Sequence, residues 1–324
     1  MLLPLGILGS FLLNNFLKET YSSRKLEIEK SIGNILDKNV DLGDYVGIRF
    51  LGISLGNTKI NDKKNIYSEI MIIGFIGTGK ISSSIILGIF KSKLNFKRIY
   101  ISSRNRNIAK KLAKKFTKVK ILNDNQEIID KSSTVFLGVT PNVGNKILSK
   151  LRFSKNKKII SLISTINLSK LKQVTKNKNV VRATPLPPIE IKKGPVIICP
   201  PSKFAKNIFK HLGQVLEIRN EKLSYKFWST ASLMATYYEI LNTSSKWLTK
   251  KGINKKLADT YVAELFLALS QDALNKSSQG YKKLVADSQT PKGLNMQVLN
   301  ELKKGKFFTK FSKALENVNK RVSK

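Results

Sequence analysis

The sequence predicts an α/β chain in which a doubly wound parallel sheet is followed by an all-helical domain, with a short extension in front. Three observations carry this reading. Short β-rich runs alternate with helical patterns from residue 71 to about 200, the mark of parallel strands joined by helical crossovers. A glycine turn, Gly77-Thr78-Gly79, separates the first of these runs from the first helix. From Glu221 onward helix formers dominate and prolines almost vanish. A chain of 324 residues is long enough for two domains, each with a core of its own. The expected division is an apolar-headed extension over 1–70, a sheet domain over 71–219 and a helical domain over 220–324.

Composition narrows the function classes. Lysine and arginine number 59 against 21 acids, a formal net charge of +38. A basic stripe attracts nucleic acid. Here, however, the lysines run along the whole chain and accompany abundant Asn and Ile, all with AT-rich codons. No RNP, zinc-finger or KH signature accompanies the charge, so no nucleic-acid partner is expected. One cysteine, Cys199, excludes an internal disulfide, and with a single histidine, His211, the usual zinc ligand sets cannot be assembled. Cys199 ends the apolar run Val196-Ile197-Ile198, which suits a small buried residue rather than a nucleophile. His211 is expected on a helix before Gly213, in a structural role.

Residues 2–17 form an apolar head broken by Asn14 and Asn15. It is shorter than the ~20 residues that span a bilayer, and it lacks the basic start and cleavage site of a signal peptide. Lys18, Arg24 and Lys25 follow it, an order that would leave the rest of the chain in the cytoplasm if the head inserted as a membrane tether. Residues 24–37 read as an amphipathic helix carrying Leu26, Ile28, Ile32, Ile35 and Leu36, and residues 40–56 as short β-like runs punctuated by glycine. Over about 65 residues this stretch loosely resembles the opening of envelope proteins of the translocation-and-assembly-module type. Met71 directly begins a strand, so residues 1–70 are expected to be a fusion remnant or a gene-model artefact.

The strand Ile72–Ile76, the turn Gly77-Thr78-Gly79 and the helix from Lys80 make a Gly-x-Gly-x-x-small pattern, with Ser82 in the third small position. In a dinucleotide-binding turn the first glycine permits the bend. The second brings backbone N–H groups to a pyrophosphate at the helix N-terminus. The next strand, Arg98–Ser102, leads into Ser103-Arg104-Asn105-Arg106. A free ribose 2′-hydroxyl usually meets a carboxylate here; hydroxyls and arginines suit a 2′-phosphate, so NADPH is expected in preference to NADH. Further strands fall at 119–122, 133–139 and 158–163, with another beginning at Val180, which completes a Rossmann-type sheet.

Gly74-Phe-Ile-Gly77-x-Gly79, Asn125 after the third strand, Val139-Thr140-Pro141, the strand ending at Ser161 and Arg182-x-x-Pro185-x-x-Pro188 stand in a definite order and spacing. In these, residues 71–320 resemble a divergent branch of the pyrroline-5-carboxylate reductase family. The resemblance implies an NADP site in the loops after the strands. Gly74, Ile76, Gly77, Thr78, Gly79, Lys80 and Ile81 would form its turn, with Ser102, Ser103 and Arg104 at the second strand. Asn125 would serve the adenosine half, and Val139, Thr140, Pro141 and Ser164 the nicotinamide half. The family usually has lysine at Thr140, Ala-Gly at Ser164-Thr165 and asparagine at Leu186.

In the helical domain, Phe227–Leu241 reads as one apolar helix and Tyr261–Leu274 as a helix apolar on most faces. A helix of that kind must be covered all round, which an interlocked dimer achieves. Asp287-Ser288-Gln289-Thr290-Pro291-Lys292-Gly293-Leu294-Asn295 contains a good N-cap and N1 pair in Thr290 and Pro291, so a helix is expected to start there with free N–H groups suited to a carboxylate. By resemblance this loop binds substrate through Asp287, Thr290, Gly293, Leu294 and Asn295: Thr290 and the amides near Gly293 would hold the carboxylate and Asn295 would steady the ring nitrogen, which makes Thr290 and Asn295 the catalytic candidates. Lys292 stands where the family has glycine and Asn295 where it has threonine. The implied activity is hydride transfer from NADPH to the C=N bond of a cyclic imine carboxylate, giving proline, by a homodimer or a ring of dimers. A reductase of the same fold acting on another imine or keto substrate, and a dinucleotide-binding dimer without catalysis, remain alternatives.

Overall fold

The computed structural model describes the backbone of residues 3–36, 38–42, 45–49, 52–55, 59–62 and 71–323, and side chains over 13–32, 34, 42 and 71–323. The chain divides into two compact units, Met1–Ile70 and Met71–Lys324.

In the first unit a single helix, α1 (Leu3–Leu36), is followed by β1 (Lys38–Asp41), β2 (Tyr45–Arg49), β3 (Gly52–Leu55) and β4 (Lys59–Asp62). The apolar head and the expected amphipathic helix at 24–37 are therefore one element, because its only proline, Pro4, sits in the first turn where its missing N–H costs nothing. Leu26 is exposed. The β-like runs pair antiparallel, β1 with β4 and β2 with β3. Gly43 and Gly56, which punctuate them, lie outside the described residues, as does Leu2 of the head. Among the described residues no helix is long and apolar enough to cross a membrane.

The second unit opens with β5 (Met71–Ile76), α2 (Lys80–Phe90), β6 (Phe96–Ser102), α3 (Arg106–Lys115), β7 (Val119–Leu122), α4 (Asn125–Lys131) and β8 (Thr134–Leu137). It continues with α5 (Pro141–Ile147), β9 (Lys158–Ser161), α6 (Leu168–Thr175), β10 (Val180–Thr184), β11 (Pro195–Cys199), α7 (Lys203–Phe209) and β12 (Gln214–Glu217). The eight strands form one sheet in the order β7-β6-β5-β8-β9-β10-β11-β12. Strands β5 to β10 are mutually parallel, whereas β11 runs antiparallel to β10 and β12 parallel to β11. The sheet is thus mixed at one edge and not parallel throughout. The apolar run at 196–199 returns along β10 after the connection 185–194, which holds a 3-10 helix over Pro187–Ile191 and is shorter than the crossover of about a dozen or more residues a parallel partner requires.

Both faces of the sheet are covered, so the strands are apolar on both sides. Ile73, Phe75, Ile99, Ile101 and Phe136 bury one face, with Phe75 stacked on Phe136 at 4.5 Å between ring centres. Ile76, Val135, Leu137 and Ile159 bury the other. Cys199 is buried in β11, and burial pushes its thiol up. His211 lies in the turn after α7 and not on a helix, since α7 ends at Phe209 and the chain turns through 210–212 into β12.

The helical part comprises α8 (Glu221–Ala231), α9 (Met234–Lys250), α10 (Lys255–Asn275), α11 (Tyr281–Asp287), α12 (Leu294–Lys304) and α13 (Phe307–Val322). The single helix expected over 227–241 is divided between α8 and α9. The hydroxyls of Ser229, Thr230 and Ser232 bond back to the carbonyls of Tyr225, Lys226 and Ser229, competing with the helical ladder at the break. Helix α9 packs on α10 and α8 on α13.

Candidate functional site

The strand order reverses between β5 and β8, and a crevice opens there at the carboxyl ends of the strands. It encloses about 610 Å³ and is lined by residues from the ends of β5, β6 and β8. Gly77, Thr78, Gly79, Arg104, Val139 and Thr140 all line it. Sequence reasoning did not place Asn105, Asn107, Gly138 or Val143 in the site, yet they complete its walls together with Arg106.

Local structure explains the shape. Gly77 has φ +97, and a Cβ there would stand 2.5 Å from the Gly138 carbonyl oxygen, so only glycine lets the turn pass so close to the end of β8. The Gly77 N–H donates to Ser102 Oγ at 2.9 Å, and Thr78 Oγ1 donates to the Ser102 carbonyl at 2.7 Å. Ser102 therefore pins the turn from beneath; it is buried and does not line the crevice. Ser82, which stands where a third glycine would allow close helix packing, is accommodated by Gly138: a Cβ on Gly138 would lie 2.2 Å from Ser82 Oγ. A glycine closing a strand was the signal for Gly138.

Three helix N-termini converge on the crevice. Gly79 is the N-cap of α2, Asn105 of α3 and Thr140 of α5, with Pro141 at N1 of the last. Neither Gly79 nor Thr140 caps its helix with a side chain, which leaves the first N–H groups free for an anion. Arg104 and Arg106 add formal charge, and among the described residues no carboxylate lines the crevice. The arrangement accepts a polyanion with phosphates at more than one position, which a dinucleotide satisfies.

Other expected cofactor residues lie around this centre. Gly74 is mid-strand, packed against Ile128 and Ser132, and Ile76 and Ile81 point into the cores. Lys80 is the exposed first residue of α2 and Ser103 is half-buried just past β6. Asn125 opens α4 after β7 without lining the crevice. The Ser164 carbonyl accepts from Arg182 Nη2 at 2.6 Å.

The expected substrate loop takes a form different from the simple helix start at Thr290. The Gly293 N–H donates to the Thr290 carbonyl at 2.8 Å, closing a turn with Pro291 and Lys292 at its centre. Gly293, not Thr290, is the N-cap of α12. Proline fixes the first central position of such a turn, and the second requires positive φ, which Lys292 adopts at φ +61. Asn295 Nδ2 donates to the Ser288 carbonyl at 2.8 Å, and Asp287 pairs with Lys283 at 2.7 Å. Thr290, Leu294 and Asn295 are exposed, and no residue from 287–295 lines the crevice. Among the described residues no cluster of three or more metal-ligating side chains forms.

The sheet with its crevice at the switch point and the helical half define a dinucleotide-binding oxidoreductase with a C-terminal oligomerisation domain. Residues 72–167 match the family described as NADP oxidoreductase coenzyme F420-dependent, and residues 227–324 match pyrroline-5-carboxylate reductase dimerisation. From Met71 onward the chain is similar to pyrroline-5-carboxylate reductases. The pyrroline-5-carboxylate reductase of Arabidopsis thaliana is 21% identical over 249 residues, 74% of this chain and 90% of that protein. The Methanosarcina acetivorans enzyme of the same name is 23% identical, over 77% of this chain and 96% of its own length. The solved 1-pyrroline-5-carboxylate reductase from Streptococcus pyogenes superposes with a TM-score of 0.68 at 25% identity, covering 78% of this chain and 98% of that one. A Plasmodium falciparum pyrroline carboxylate reductase with NADP bound gives 0.67 at 20% identity, over 78% and 97% of the two chains.

Proposed function

We propose that this protein reduces 1-pyrroline-5-carboxylate to proline with NADPH. The observation that carries the reading is the crevice, where three helix N-termini and two arginines meet without a carboxylate, in a chain with the dimerisation domain of that family. The free N–H groups at Gly79 and Lys80 hold the pyrophosphate, and Arg104 with Arg106 holds the 2′-phosphate, which favours NADPH over NADH. Bound NADPH supplies the hydride for the C=N carbon. The chain's part is to place the imine and exclude water, and such positioning lowers a barrier by at most about 7–11 kcal/mol.

The carboxylate of the imine is assigned to the N–H groups at the start of α12, beside Thr290, Gly293 and Leu294, with Asn295 near the ring nitrogen and Asp287 closing the loop. In one chain this loop is exposed and apart from the crevice wall. The loop of one subunit is therefore proposed to complete the crevice of a second copy, which makes a homodimer the smallest active assembly and a ring of dimers its extension. The reaction is assigned to the cytoplasm, the side on which the cations after the apolar head would leave the rest of the chain if that head inserted as a tether.

The test is oxidation of NADPH in the presence of 1-pyrroline-5-carboxylate, with NADH run in parallel. Turnover with a clear preference for NADPH is expected; preference for NADH would overturn the assignment of Arg104 and Arg106. One observation favours a second reading, a different imine: Leu186 lines an apolar cavity of about 300 Å³ with Thr184, Ile197 and Phe227, where the family usually has a hydrogen-bonding asparagine. NADPH binding without turnover on pyrroline-5-carboxylate, followed by turnover on a bulkier cyclic imine, would establish that reading instead.

A further inference from the structure

Arg182, in β10, is the largest fully buried side chain among the described residues. Its guanidinium forms an ion pair with Glu221, the first residue of α8, and donates to the Ser164 carbonyl at 2.6 Å. Its Cζ lies 5.0 Å from the Tyr225 ring centre and 5.6 Å from that of Trp228, both on α8. The same Glu221 oxygen accepts the N–H of Leu168 at 2.8 Å. One cation thus joins the loop after β9, the end of β10 and the first helix of the helical half.

Such a pair contributes little stability over an apolar replacement of the same shape, because both charges lose their water. Arg182 Nε, moreover, has no partner among the described residues. The arrangement is better understood as fixing geometry. Leu137 pairs with Ser161 in parallel register, so the loop after β9 lies beside the loop after β8. The latter supplies Gly138, Val139 and Thr140 to the crevice. A dinucleotide laid across a switch point places its two mononucleotide halves on opposite sides of it. The half on the β6 side meets Arg104 and Arg106, and the other half lies over β8 and β9.

We infer that Arg182, held by Glu221, is a positioning residue for that second, nicotinamide-bearing half: it fixes the Ser164–Asn167 loop on which that half rests and ties it to the helical domain. The inference depends on the dinucleotide reading above and assigns Arg182 no contact with substrate.

The experiment is calorimetric titration of the full chain with NADPH and, separately, with 2′,5′-ADP, which carries only the adenosine half. For Arg182→Met, affinity for NADPH should fall about ten-fold while that for 2′,5′-ADP stays within about two-fold. Glu221→Gln keeps the shape but not the charge, and should show the same split at about three-fold. If Arg182→Met does not fold, the Glu221→Gln split alone carries the result. Equal losses for both ligands, or no loss for either, would overturn the positioning role and leave the dinucleotide site standing. A wild-type chain that binds neither ligand would overturn both.

Discussion

The sheet domain and the helical domain treat the same kind of residue in opposite ways. Ile73, Phe75, Ile99 and Phe136 vanish from solvent within one chain. On α10, Tyr261, Leu267, Leu269 and Leu274 remain 58%, 60%, 57% and 67% exposed. A sheet covered on both faces is a closed apolar unit. A helical hairpin such as α9–α10 offers each helix one neighbour, and the remaining faces stay open. The difference teaches where the molecule ends: the sheet domain is complete in one copy, whereas the helical domain presents a surface made for oligomerisation.

The largest effect that would sharpen this contrast is expected from Phe136→Ala. It removes a ring stacked on Phe75 and edge-on to Phe209 and should cost about 3–5 kcal/mol. Denaturant midpoints should fall equally at every protein concentration. Next come Leu267→Asp and Leu269→Asp. In a monomer these exposed positions would tolerate the change. Here each should shift sedimentation to a lower mass, abolish the concentration dependence of Tm, and cost most of the turnover while leaving NADPH binding intact. An unchanged sedimentation profile would break the comparison. A smaller and opposite effect is expected from Lys292→Gly, which relieves the positive φ of the loop turn and should stabilise by about 1 kcal/mol, read as a rise in Tm.

The smallest effect concerns His211. Burial, with Lys210 adding to it, holds its imidazole below the usual histidine range. The unfolded chain therefore binds more protons near and below pH 6.5, so stability is full above that value and declines as pH falls. His211 is the only histidine, so a plot of Tm against pH between about 6.5 and 5 should flatten in His211→Gln. An unaltered slope would mean that the histidine does not contribute.

Much of the fold was legible from periodicity and punctuation. The strands from β5 to β10 announced themselves as short apolar runs, and Gly77-Thr78-Gly79 marked the turn at the crevice. The antiparallel return of β11 was not legible, because an apolar run carries no direction. Ser102 has the position of a ligand, but in the folded chain its hydroxyl is taken by Gly77 and Thr78. Likewise Thr290-Pro291 has the residue types of a helix start, but the turn through Lys292 moves the cap to Gly293.

The sequence by itself determined the order of strands and helices, the glycine turn, the basic loop after β6 and the excess of apolar surface in α10. These depend on contacts between residues near one another in the chain, where side-chain period and backbone preference act directly. Tertiary structure alone decided the convergence of three helix N-termini, the approach of Ser82 to Gly138 and the burial of Arg182 between Glu221, Ser164 and Tyr225. Each depends on residues brought together from distant parts of the chain by the sheet order, which local sequence pattern does not encode.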